Sequence, residues 1–235
     1  MASQSDRLNL PAVLDSVRIL SPLNASFDHG EEHWRRVATN GLDLAAAAGA
    51  DPLVVVLFSI FHDSMRFNEE WDPEHGKRGG FLAACLNTEL IGLPEDRLDV
   101  LYKACAEHGD GDTSDDPTTG VCWDADRLDL VRFGKEIFPG SMSTAAGRTA
   151  PARRRAMSLL TEAPDWPSIF WRLNDATHES VPVEPDAREP VKAEEPRTEP
   201  KRPAHTEPSS SGRYWTATLV RAAPPDAADE VPPSE

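Results

Sequence analysis

The side chains of this 235-residue chain with most capacity for chemistry are histidines and aspartates that crowd its first half. Five of the seven histidines, His29, His33, His62, His75 and His108, lie between residues 29 and 108. Asp63 follows His62 directly, and Asp124 and Asp126 come a little later. Histidine is the commonest side-chain metal ligand. A mixed imidazole and carboxylate set without thiolates suits Fe, Mn, Co, Ni or Zn and does not select sharply among them. A lone histidine is usually a surface or satisfied core residue, but five of them with three aspartates point to a divalent metal site. The His62-Asp63 pair is the sharpest signal. It ends the run Val54-Val55-Val56-Leu57-Phe58-Ser59-Ile60-Phe61, whose burial would carry both side chains to the edge of the core. A polar group there costs roughly 2–7 kcal/mol unless it is hydrogen-bonded, and a charge needs a partner or a metal.

The elements that must position these residues read as helices. Apolar residues at helical spacing run from Leu8 to about Leu20 and stop at Ser21-Pro22. A second helix is expected from near Asp28 into Ala45–Ala48, with Gly49 as its C-terminal cap. Asp51-Pro52 supplies an N-cap and a proline at the first helical position, which makes 53–63 a helix in preference to a short buried strand. The valines keep the strand as the second reading. Asp72-Pro73-Glu74 repeats the start signal for a helix through Leu86, and the pair Gly79-Gly80 marks a close approach of another element. Further helices are expected after Pro94, ending at His108, from Val121 to near Gly134, and around 152–160. An aromatic segment with Trp166, Phe170 and Trp171 closes the domain. The expected fold is all-α, about seven helices over residues 1–178. Residues 179–235 hold about half of the 21 prolines and few apolar residues, the composition of a disordered tail. Within it, 212–220 could pair as a strand or dock on a protein partner.

Composition excludes several functions. The formal net charge is -16, with 40 acidic against 24 basic residues. Neither a nucleic-acid polymer nor an anionic membrane is an expected partner, since both require a basic surface. No segment approaches the roughly 20 apolar residues of a membrane span, and no signal-peptide core is apparent near Asp6-Arg7. Cys85, Cys105 and Cys122 are odd in number and lack a CxxC pair. They read as buried thiols of a reducing compartment, and the chain is expected to be soluble and cytoplasmic.

The order of the motifs resembles the HD-domain superfamily of metal-dependent phosphohydrolases. Its first histidine corresponds to His33, in His33-Trp34-Arg35-Arg36-Val37, which fits the H-x-x-R-V pattern. Its doublet corresponds to His62-Asp63, and its distant aspartate to Asp126 in Asp124-Ala125-Asp126-Arg127-Leu128-Asp129. The resemblance covers roughly residues 25–135. Two-metal members add two histidines between the doublet and the last aspartate, where His75 and His108 stand. The resemblance implies a site of one or two ions in which Asp63 bridges, His33, His62 and Asp126 complete one shell, and His75 and His108 supply the other. His62 and Asp63 would then be its catalytic centre. His29 competes with His33, and Asp124 with Asp126; the motif favours the second of each pair and leaves His29 and Asp124 as outer supports.

The implied reaction is hydrolysis of a phosphomonoester or phosphodiester of a small molecule, expected to be a nucleotide, by metal-activated water. Arg66, Lys77, Arg78 and Arg127 are the candidate cations for its phosphate, and the loop 110–116 is either a lid or a polar surface turn. The same fold and ligands also occur in HD-type mixed-valent di-iron oxygenases that cleave a C–C or C–P bond. A third class is a regulatory domain that senses a ligand while the tail recruits a partner.

Overall fold

The computed structural model describes residues 8–179, and the expectations for 180–235, including the segment 212–220, lie outside the described residues. Among those residues there are eight α-helices and no strand. They are α1 (Leu10–Leu20), α2 (Glu31–Ala48), α3 (Pro52–Phe61), α4 (His75–Leu86), α5 (Glu95–Glu107), α6 (Pro117–Leu128), α7 (Ala150–Glu162) and α8 (Trp166–Glu179). The eighth helix arises because the closing aromatic segment is itself helical. None of the described helices is long and apolar enough to cross a membrane.

The apolar run at 54–61 is the central helix. Asp51 accepts from the backbone N–H groups of Leu53 and Val54 at 3.0 and 3.2 Å, and Pro52 occupies the first turn. The cap decides the conflict between helix start and β-branched composition in favour of the helix. Every residue of α3 from Leu53 to Phe61 is buried, as expected of a helix that is apolar all round. α2, α4, α5, α6 and α8 pack around it. Gly49 takes a left-handed conformation (φ 69°) and turns the chain sharply from α2 into α3.

Two close approaches bring α4 into register with the end of α3. A Cβ on Gly79 would meet the carbonyl oxygen of Phe61, and one on Gly76 would meet that of Cys105. Glycine therefore lets α4 lie directly against the α3 terminus and against α5. The start of α4 departs from expectation. It begins at His75, because the Asp72 carboxylate is not a cap: it accepts from the Phe67 N–H at 3.0 Å and from Arg78 at 2.5 Å. α6 begins earlier than expected, at Pro117, since Asp116 accepts from the Thr119 N–H at 2.7 Å. The thiols also need correction: Cys105 and Cys122 are buried, but Cys85 lies on the outward face of α4 and is exposed.

Candidate metal centre

Three helices and two helix ends converge on Asp63. His33 projects from the first turn of α2, His62 and Asp63 directly follow α3, His75 opens α4, His108 follows the last turn of α5, and Asp126 lies near the end of α6. His33 and His62 are fully buried, and Asp63, His75 and His108 are buried. Asp126 keeps 18% of its side chain exposed, which leaves the centre open on one side.

The Asp63 carboxylate divides the donors into two clusters. Its Oδ2 lies 3.5 Å from His33 Nε2 and 3.6 Å from His62 Nε2. Asp126 Oδ1 joins that cluster at 3.4 and 3.7 Å from the same nitrogens. Asp63 Oδ1 instead faces His75 Nε2 at 3.0 Å and His108 Nε2 at 3.4 Å. Within each cluster the two imidazole nitrogens are 3.0 Å apart. Donors held about 2.0–2.2 Å from one ion are separated by roughly 3.0–3.5 Å in tetrahedral or octahedral shells. The observed spacings fall in or close to that range.

The outer nitrogens fix how the rings present themselves. His33 Nδ1 donates to Asp129 Oδ2 (2.7 Å), His62 Nδ1 to the carbonyls of Phe58 and Ser59 (3.1 and 3.2 Å), and His108 Nδ1 to the Cys105 carbonyl (2.7 Å). His75 Nδ1 donates to the Asp72 carbonyl. With all four Nδ1 positions committed as donors, it is Nε2 of each ring that faces the two carboxylates. Such outer partners set the tautomer and orientation of metal-binding histidines. Buried acceptors facing one another need a proton or a cation between them. Asp63 Oδ1 is buried without a hydrogen-bond partner. The donor set and this orphaned oxygen fit one or two divalent ions.

Electrostatics agree with that demand. Burial would raise the Asp63 carboxyl, yet His62, His108, His33 and His75 hold it well below the usual carboxylate range. Burial likewise opposes, and His33 and His62 reverse, the tendency of Asp126, which also stays ionised. Burial pushes the His62 imidazole down, against the pull of Asp63 and Asp126. His33 behaves differently: burial and Arg132 push it down, but Asp126, Asp129 and Asp63 outweigh them and carry it to about 10. His33 thus holds a second proton, which any ion bound at its Nε2 would have to displace.

Asp129 is the residue that sequence reasoning passed over. It is fully buried and accepts from His33 Nδ1, from Arg36 Nε at 2.7 Å and from Arg132 Nη1 at 3.3 Å. Its signal lay three residues after Asp126, a spacing that places both on one helical face.

A cavity of about 350 Å³ opens onto the centre, with Arg66, Trp71, Arg132, Phe133 and Lys135 on its wall. Of the four cations expected there, Arg66 alone lines it. Lys77 is exposed and paired with Glu74 at 2.9 Å, on the far side of α4. Arg78 binds Asp72 and the Met65 carbonyl and covers the Phe67 ring. Arg127 is spent on the carbonyls of Ser141 (2.9 Å) and Asp112 and holds the loop 110–116 down as a surface turn. Asp124 points away from the ligands and accepts from the N–H groups of Ser143 and Thr144 at 2.6 and 2.8 Å. It anchors a loop instead of supporting a ligand. His29 stands at the cavity rim with its Nδ1 2.5 Å from Glu69 Oε2 and its ring edge-on to His33 at 6.4 Å. Comparison with family models, curated proteins and solved structures gave no match to this chain.

Proposed function

We propose that this chain is a metal-dependent phosphohydrolase of the HD type, acting on a small phosphorylated molecule through a dinuclear centre. The observation that carries the reading is the Asp63 carboxylate, which gives one oxygen to each of two imidazole clusters. His33, His62, Asp63 and Asp126 would hold one ion, and Asp63, His75 and His108 the other. Two such ions, when bound, lower the pKa of a water and neutralise charge on a phosphoryl oxygen.

The remaining work falls to residues of the chain. Arg66 places a guanidinium beside the centre and Lys135 an exposed cation on the same cavity, with Arg132, paired to Asp129, on its wall, and guanidinium groups suit bidentate phosphate contact. The Nδ1 bonds keep the four rings oriented without rearrangement as the substrate enters. Trp71 is 83% and Phe133 42% exposed at the cavity wall, two aromatic faces on which a nucleobase can stack. The cavity volume is at the lower end for small-molecule sites, which favours a mononucleotide-sized ligand over a polymer.

The test is anaerobic purification, loading with Mn, Co or Fe, and a screen of phosphomonoesters, phosphodiesters and nucleotides. Hydrolysis that continues without dioxygen and disappears in His62→Ala and Asp63→Ala supports the reading. Stoichiometric iron with dioxygen consumption would replace it by the oxygenase chemistry that the same donors can serve.

A further inference from the structure

The two clusters are not electrostatically equal. The first has two carboxylates against its ring nitrogens, the shared Asp63 and its own Asp126, with Asp129 behind His33 paired to Arg36 and Arg132. The second has only the shared Asp63 oxygen, with backbone carbonyls behind His75 and His108. It also has a cation already beside it. Arg66 Nη1 lies 3.5 Å from Asp63 Oδ1 and 3.2 Å from His75 Nε2, the same two atoms that face the second position. A guanidinium has donors only, so it cannot ligate an ion and acts there as a fixed like charge. It is not free to leave unaided. Its Nη2 donates to the Glu70 carbonyl at 2.8 Å and its Nε to that of Asn68 at 3.3 Å, and the residue is 8% exposed. Of the other charges on the same cavity, Glu70, Asp110 and Lys135 are exposed to solvent, Asp72 pairs with Arg78, and Arg132 pairs with Asp129 on the side of the first position.

We infer that Arg66 holds the Asp63–His75–His108 position in a weak-binding state until an anion in the cavity neutralises its charge, so that the second ion enters together with the substrate's phosphate. The inference rests on the dinuclear reading and adds the order of filling. The first position fills on metal alone. The second is coupled to the anion, and the coupling is reciprocal: the second ion strengthens phosphate binding by the same factor.

The experiment is a Mn titration of the full metal-free chain, followed by calorimetry and by the paramagnetic resonance of bound Mn, with and without inorganic phosphate. The wild type is expected to bind one ion tightly and a second at least about tenfold more weakly. Phosphate should tighten the second by a factor within roughly 5–150, the usual span for two coupled ligands. In Arg66→Met the second ion should bind at least about tenfold more tightly without phosphate, and the phosphate effect should shrink. Arg66→Lys, which keeps the charge, should retain the weak second position. Unchanged or weaker second-ion binding in Arg66→Met, with Arg66→Lys equal to it, overturns the inference while leaving the dinuclear site intact. Absence of bound Mn in the wild type and both variants overturns the metal centre and the inference together.

Discussion

Asp129→Asn separates a positioning role from simple packing, and its size can be worked out from the contacts. In the folded chain the Asp129 carboxylate accepts from His33 Nδ1 and Arg36 Nε, each at 2.7 Å, and from Arg132 Nη1 at 3.3 Å. The side chains of Asp129, His33, Arg36 and Arg132 are all at most 4% exposed. An asparagine of the same shape offers one acceptor oxygen and turns its NH₂ toward a donor, either the imidazole or a guanidinium. Removing one member of a buried ion pair costs about 3–5 kcal/mol, and the metal-free variant should lose that much in urea unfolding. A separate effect falls on the metal. His33 loses the anion that fixes its ring and raises its basicity, and loss of such an outer partner costs about 10–100-fold in affinity. That fold-change is about 1.4–2.7 kcal/mol. It should appear at the first ion bound and leave the second within error. A variant within about 1 kcal/mol of wild type in stability, with first-ion affinity unchanged, would refute the reasoning.

Other substitutions give sharper local readings. Gly79→Ala forces a Cβ against the Phe61 carbonyl at the end of α3; urea unfolding should show about 1–3 kcal/mol of destabilisation, and bound metal should fall because His62 and Asp63 follow immediately. Lys77→Ala should change stability by less than about 0.5 kcal/mol and leave metal content and turnover untouched, since Lys77 faces away from the cavity. Glu31 is held below its ordinary carboxyl value chiefly by hydrogen bonds from Arg18, against burial. It therefore contributes stability above its unfolded pKa of about 4.3, and that contribution vanishes as pH falls through the lower folded value. With both groups partly exposed it amounts to at most about 1 kcal/mol, and Arg18→Met should flatten the acid limb of stability by that much.

Much of the cluster was legible because helix punctuation and the histidine and aspartate residues left separate marks. Asp51-Pro52 fixed the start of α3, the apolar run made it central, and the His62-Asp63 ending demanded a partner. Gly79-Gly80 announced a contact that the fold places against Phe61 and Tyr102. The cations were harder to place. On a helix two residues differ by roughly 200°, so Lys77 leaves the face of His75, and Asp124 leaves that of Asp126. Arg78 sits closer in angle to His75, but Asp72 and Phe67 draw its guanidinium into the 65–72 loop. Arg127 is held by backbone carbonyls that only the folded loops provide. Arg132 and Lys135 lie beyond the last motif, in and after a short 3₁₀ turn at Asp129–Phe133, and residue spacing alone did not aim them at the cavity. Asp129 was visible as the sixth residue of a motif whose third residue took the attention.

The central claim is that Asp63 joins two metal positions. Elemental analysis of the metal-free chain after saturation with Mn and removal of excess, in wild type and in Asp63→Ala, tests it directly. The account predicts two ions per chain in the wild type when phosphate is present, and loss of both or retention of one weak ion in Asp63→Ala. Equal metal content in the two proteins, or none in either, would contradict it.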